Sequence, residues 1–332
     1  MLTERHSEPQ VTATAKTVLP RAGRRLRMHV IWNTHAGSAS RATDVRHRLM
    51  DFKVSSQRRE QVELTLTIPQ SAADVPRIAR KAAQTGTDVV VAAGGDGTIN
   101  AVVQGLAEAN FSAALGVIPL GTGNDFCRNL QMPLDPFQAL DFLDHPVFRR
   151  IDVMQTVSAA GEHHFVNMAT AGNTGHFSSI VTEDMKHFWG PLVYLRGVVD
   201  VLSSLQKFQI RVTLDDEPEF RCSALNLYVA NGPGTGGGMV VASDASMEDG
   251  LMDVVILREC SPLDIASLAA RYTLGDYRES EFVYHRRARR MTLHSEPALE
   301  FSLDGEPVSD QPSEIKVLPG ALWVLTSVDR DA

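Results

Sequence analysis

Residues 88–100 read Asp-Val-Val-Val-Ala-Ala-Gly-Gly-Asp-Gly-Thr-Ile-Asn. The first six form a continuous apolar and β-branched run, which suits a strand covered on both faces. Gly94, Gly95 and Gly97 then break the run, and residues 98–109 follow with Ile99, Val102, Val103 and Leu106 at helical spacing. A glycine turn between a buried strand and a helix start lets the backbone approach a ligand or adopt positive φ. The open N–H groups of the helix start favour an anion. That geometry suits a phosphate, with the Thr98 hydroxyl either donating to it or capping the helix. Asp96 has no apolar role there. It reads either as the cap of a tight turn or as a carboxylate directed at Mg²⁺ beside a polyphosphate.

Working outward, residues 115–118 form a second short buried strand. Pro119-Leu120-Gly121-Thr122-Gly123-Asn124-Asp125-Phe126 then repeats the arrangement of glycine turn and polar helix start. Thr122 and Asn124 are candidate nucleotide contacts, and Asp125 reads as a metal or substrate ligand or as a helix cap. Upstream lie a short apolar run at 28–32, an alternating strand at 62–68 and a helical pattern at 72–84. Strands alternating with helices predict a parallel sheet layered with helices, whose loops meet at the carboxyl ends of the strands.

The pattern changes near residues 148–152. Later runs at 164–168, 209–214, 224–229, 252–257, 290–294 and 299–303 are short and strand-like, which predicts an antiparallel sheet or sandwich. Helical exceptions are expected at 192–205 and 262–274. The last apolar run, 321–326, is expected to return to the first unit. Expected boundaries are a disordered tail at 1–26, a nucleotide-binding α/β domain at 27–150 with a return at about 316–328, and a β-rich substrate domain at 151–315.

At 332 residues, 43% hydrophobic and 22% charged, the chain has the composition of a globular protein with a sizeable core. Cys127, Cys222 and Cys260 are widely spaced and lack CxxC pairing, which argues against a disulfide framework or zinc site and for a reducing cytoplasm. A net charge of −8 gives no reason to expect nucleic acid, although short basic runs occur at 21–27 and 285–290. No stretch approaches the roughly 20 apolar residues of a spanning helix, so any membrane contact is expected to be peripheral. There is no Walker-type G-x-x-x-x-G-K-[ST]. A literal G-x-G-x-x-G at Gly232, Gly234 and Gly237 is set aside because residues 239–246 do not read as the required helix.

GGDGT followed some twenty residues later by PLGTGNDF resembles the catalytic domain of the diacylglycerol kinase and sphingosine kinase superfamily, above all its bacterial lipid kinases. GGDGT alone is shared with NAD kinases and phosphofructokinases; PLGTGNDF decides the resemblance, which runs from about residue 28 to 328. It implies an α/β nucleotide-binding domain followed by a β-sandwich-like domain, ATP and Mg²⁺ as cofactors, and a membrane lipid hydroxyl as acceptor. Diacylglycerol is the default acceptor, reached peripherally from the cytoplasmic face of the membrane. Oligomeric state stays open, a homodimer included.

By the same resemblance, Asn33 and Gly37 belong to the first nucleotide loop, where Thr34 and Ala36 depart from the usual Pro and Ser. Thr67 matches a nucleotide-contacting threonine. Gly94, Gly95, Asp96, Gly97, Thr98 and Asn100 match the phosphate loop, and Thr122 the second loop. Residues 241–253 resemble a metal loop, in which Asp249 supplies a carboxylate and Ser246 and Leu251 supply carbonyls. Glu306, after the turn-forming Asp304-Gly305, matches the general base; in the transfer so implied, Asp96 and Asp125 are expected to act in catalysis by organising Mg²⁺. Alternative readings are an NAD kinase-like enzyme and a non-catalytic ATP-binding regulator at membranes.

Overall fold

The computed structural model describes residues 24–34, 39–58, 62–141, 143, 146–173, 205–274 and 277–326. Its first half contains β1 (Leu26–Trp32), α1 (Ala39–Arg58), β2 (Val62–Thr67), α2 (Asp74–Gln84), β3 (Val89–Gly94), α3 (Asp96–Glu108), β4 (Ala114–Pro119), α4 (Asp125–Asn129) and α5 (Pro136–Asp141). The four strands pair in parallel, in the order β2-β1-β3-β4. All six residues of β3 and all six of β4 are buried, because helices cover both faces of the sheet. Val90 and Ala92 pack with α2 and α3 through Ala79, Val102 and Leu106. Val89, Val91 and Ala93 point the other way, into a core with Val45, Leu49 and Phe52 of α1. The period of two along β3 thus divides one strand between two cores.

Helices α2 and α3 meet where Gly105 faces Pro76. A Cβ at Gly105 would lie 2.2 Å from the Pro76 carbonyl oxygen and 2.8 Å from the Ala79 Cβ. Backbone cannot yield as a flexible side chain can. Gly105→Ala is therefore expected to destabilise the protein by about 1–2 kcal/mol, overpacking outweighing the gain in helix propensity. A urea midpoint equal to or above that of the parent would contradict this.

The second half continues with β5 (Val147–Ser158), β6 (Gly161–Phe165), β7 (Met168–Gly172), β8 (Phe208–Leu214), β9 (Phe220–Ala230), β10 (Gly234–Thr235), β11 (Met239–Val240), β12 (Met252–Arg258), α6 (Pro262–Leu274), β13 (Val283–Ala288), β14 (Arg290–Glu296), β15 (Phe301–Leu303), β16 (Glu306–Pro307) and β17 (Glu314–Thr326). Antiparallel pairing runs β17-β14-β8-β9-β7-β15-β16, and β12 adds to β9. Inward residues such as Ile210, Leu227, Val254 and Leu293 form its core. The architecture is an α/β unit with a parallel sheet joined to an antiparallel β-sandwich. At the junction, β17 pairs antiparallel with the length of β5 and parallel with β4 at Val324–Leu115.

Several details differ from expectation. The strand expected over 164–168 is broken at Val166 and Asn167, because the N–H groups of residues 166–168 all turn to the Asp304 carboxylate. Strand β17 begins seven residues before the expected run, where Ile315 and Val317 alternate into the sandwich core. Helix α3 starts at Asp96 rather than Thr98. The expected helix at 192–205 lies almost entirely outside the described residues, as do residues 1–23 of the expected tail and Gly37. Leu205 is not helical.

Candidate active site

The two glycine loops touch. A Cβ on Gly121 would lie 2.6 Å from the Gly95 Cα, and a Cβ on Gly94 would lie 2.3 Å from the Thr98 hydroxyl oxygen. None of Gly94, Gly95, Gly97, Gly121 or Gly123 has positive φ. These glycines are required for close approach and not for a left-handed backbone, which corrects half of the conformational expectation. Helix α3 has Gly95 at its N-cap with no side-chain cap bond; the Thr98 N–H turns back to the Gly95 carbonyl at 2.9 Å, which leaves the N–H groups of Asp96 and Gly97 to face an anion. Thr98 makes no cap; its Oγ1 accepts a hydrogen bond from Asn33 Nδ2 at 2.9 Å.

Glu306 stands over this helix start. It follows the turn at Asp304 (φ 50°) and Gly305 (φ 89°), which joins β15 to β16. Its Oε1 would lie 2.7 Å from a Cβ on Gly97. Gly97 and Glu306 line two cavities at once. One, of about 610 Å³, is also lined by Asn33, Gly95, Thr98 and Gly121, and its far wall comes from Pro69, Gln70, Ser71 and Ala72. The other, of about 630 Å³, contains Asp96, Thr122, Gly123, Asp125, Asn167 and Gly237.

Asp96 and Asp125 face the same point. A Cβ on Gly123 would lie 3.0 Å from Asp96 Oδ2 and 3.7 Å from Asp125 Oδ2. Burial, and then the charge of Asp125, push the Asp96 carboxyl above its ordinary pKa; the N–H of Phe126 (3.4 Å) and neighbouring backbone donors oppose that shift. Asp125 accepts from the Gly237 N–H at 2.9 and 3.1 Å. Two converging carboxylates, one made costly to ionise by burial and by the other, form a donor set that fits Mg²⁺. Below its raised pKa Asp96 is protonated and cannot serve a cation. At subsaturating Mg²⁺, where proton and metal compete for Asp96, the acid limb of kcat/KM is thus expected above the ordinary aspartate range, and Asp125→Asn should move it to lower pH. An unmoved limb would contradict the coupling.

Other expected residues are placed differently. Asn124 (φ 50°) exchanges two hydrogen bonds with the Gly121 backbone, so its amide shapes the second loop. Asn100 lines the first cavity, but its Nδ2 points to Asp304 at 3.4 Å. Thr67 is bonded to His29 at 2.9 Å and lines a neighbouring cavity, which meets the first through Pro69 and Gln70. In the 246–251 loop, Asp249 accepts from the Leu251 N–H at 3.0 Å and is ion-paired with Arg287, which also lies 3.5 Å from Asp253. The Arg287 guanidinium thus faces the Asp249 carboxylate that was expected, with the Ser246 and Leu251 carbonyls, to hold a metal. The basic run is similarly engaged: Arg290 pairs with Glu314 at 2.6 Å, and Arg286 lies over the Tyr284 ring at 5.1 Å.

Sequence reasoning missed the Pro69–Ala72 wall, which carries no motif. It also missed Asn167, and it set Gly237 aside with the G-x-G-x-x-G match. The Gly236-Gly237-Gly238 run, all three at positive φ, was the available signal for the last.

Comparison with known proteins places the two halves of the chain in described domain families. Residues 27–156 match the diacylglycerol kinase catalytic domain, and residues 169–326 match the YegS C-terminal NAD kinase beta sandwich-like domain. The chain is 37% identical over 277 residues to a protein of Pseudomonas aeruginosa (strain UCBPP-PA14) described as "Probable lipid kinase YegS-like", covering 82% of this chain and 87% of that one. It is 31% identical over 236 residues to "Diacylglycerol kinase" of Bacillus subtilis (strain 168), covering 71% and 76% of the two chains. The crystal structure of a diacylglycerol kinase from Bacillus anthracis str. Sterne superposes with a TM-score of 0.67 at 19% identity, over 92% of this chain and 98% of that one, which shows a common fold. Two domain matches in the expected order, a relative above one-third identity over most of its length and the paired glycine loops agree: the chain belongs to the bacterial diacylglycerol kinase-like family of lipid kinases.

Proposed function

We propose that the chain transfers the γ-phosphoryl group of ATP to the hydroxyl of diacylglycerol, giving phosphatidic acid, with Glu306 as general base. The observation that carries this reading is the position of Glu306 beside the start of α3, at the wall common to two cavities. The cavity containing Asn33, Gly95, Thr98 and Pro69–Ala72 is assigned to ATP, whose phosphates meet the open N–H groups of α3. The second cavity is assigned to the acceptor. Mg²⁺, held by Asp96 and Asp125, would offset negative charge on the transferring group. Glu306 orients the acceptor hydroxyl and takes its proton as the new P–O bond forms. The bond between the γ-phosphorus and the β–γ bridging oxygen breaks, and its electron pair leaves with ADP. Positioning and charge stabilisation supply most of the acceleration in such transfers.

Diacylglycerol is proposed because the matched domain and the Bacillus subtilis relative carry that name. Access is proposed to be peripheral, since no helix among the described residues is long and apolar enough to cross a membrane. The test is transfer from γ-labelled ATP to vesicles containing diacylglycerol, a sphingoid base, ceramide or phosphatidylglycerol, with NAD as a soluble control. Labelled phosphatidic acid is the expected product. Label in another lipid would replace the acceptor, and label in NAD alone would overturn the lipid reading.

A further inference from the structure

Asp304 is more than a turn residue. It is buried and has φ 50°, two positions before Glu306. Its Oδ2 accepts from the Val166 N–H at 2.9 Å, and its Oδ1 accepts from the N–H groups of Asn167 and Met168 at 2.8 and 3.0 Å. Asn100 Nδ2, on α3, lies 3.4 Å from Oδ2. The Asp304 N–H in turn donates to the Met168 carbonyl at 2.9 Å. Burial pushes the carboxyl pKa up, and these same donors oppose the rise. Every partner donates, so both oxygens must accept, which is the capacity of an ionised carboxylate. One side chain thus joins the chain break between β6 and β7, the helix that begins at Asp96, and the turn that carries Glu306. The helix is held a second time, one turn further on. Gln104 exchanges hydrogen bonds with the His164 backbone at 2.5 and 3.1 Å.

We propose that Asp304 is a positioning residue for phosphoryl transfer: it pins the β15–β16 turn to residues 166–168 and to α3, and so sets where Glu306 stands against Gly97. The proposal rests on the reading of Glu306 as the base. A group held this way acts through geometry, and a misplacement of about 1 Å can cost ~10²-fold in rate.

Asp304→Asn is the sharp probe. It keeps the size but turns an NH₂ toward backbone N–H donors in either orientation of the amide. The expected result is a fall in kcat of about 10²-fold with KM for ATP within about threefold of the parent. In the Glu306→Gln background the same change should add less than about threefold, because a residue acting only through Glu306 has nothing left to position. A general structural defect would lower activity in both backgrounds. A folded Asp304→Asn protein with kcat near that of the parent, or losses that multiply in the double variant, overturns the proposal. Full activity of Glu306→Gln alone overturns the base assignment, and this proposal with it. If Asp304→Asn does not fold, Asp304→Gly, which suits φ 50°, replaces it. Formate should then restore at least about tenfold in kcat by filling the vacated carboxylate position; no rise overturns the proposal.

Discussion

Glu306→Gln is expected to lower kcat by about 10²–10⁴-fold, the contribution of a general base, while leaving the melting temperature and ATP affinity near those of the parent. The side chain is exposed and contributes nothing to the hydrophobic cores, so its loss as a base has no folding consequence to obscure it. Gln keeps the length and can still contact a hydroxyl, but it cannot accept the proton. An alcohol is a poor nucleophile while protonated, so proton removal must accompany transfer. Near-normal turnover in the purified variant would remove Glu306 from the mechanism. A large rise in KM for ATP with unchanged kcat would reassign it to nucleotide binding.

Asp96→Ala is expected to reduce kcat/KM by about 10³-fold or more, the several kcal/mol that charge neutralisation supplies in phosphoryl transfer. Its signature differs from that of Glu306→Gln, because the dependence on Mg²⁺ concentration should weaken or vanish along with activity. Stability should change little. Burial and the charge of Asp125 raise the Asp96 pKa, so ionisation of this carboxyl works against folding. Removing it relieves that cost but also takes the acceptor from the Phe126 N–H and its neighbours, so the melting temperature should stay close to that of the parent. A destabilised Asp96→Ala protein that retains activity would contradict both halves of the argument.

The parts legible in the sequence were those in which neighbouring residues determine one another. The β3 run, the glycines after it and the helical spacing from Ile99 onward specify a strand–loop–helix unit without reference to distant chain. The PLGTGNDF stretch did so again, and buried runs on both strands identified a parallel sheet covered on two faces. What the sequence did not reveal depends on partners far away. The break between β6 and β7 is caused by a carboxylate 138 positions from Val166. Strand β5 carries Arg149 and Arg150 in its first turns of pleat and has no clean alternation there; its length comes from pairing with β17. The glycine loops were read as places for close approach to a ligand or for positive φ, whereas they are crowded by each other and by Thr98. Packing of that kind leaves no trace in local pattern. The acidic run at 244–253 suggested a metal only through the family resemblance, and its pairing of Asp249 with Arg287 on a neighbouring strand was not legible in it.

The decisive measurement is a crystal structure of the protein with Mg²⁺ and a non-hydrolysable ATP analogue. Triphosphate is expected at the start of α3, with the γ-phosphorus facing Glu306 so that one acceptor oxygen could touch both, and the metal between Asp96 and Asp125. Nucleotide bound elsewhere, or a γ-phosphate turned away from Glu306 with no oxygen able to bridge them, would contradict it.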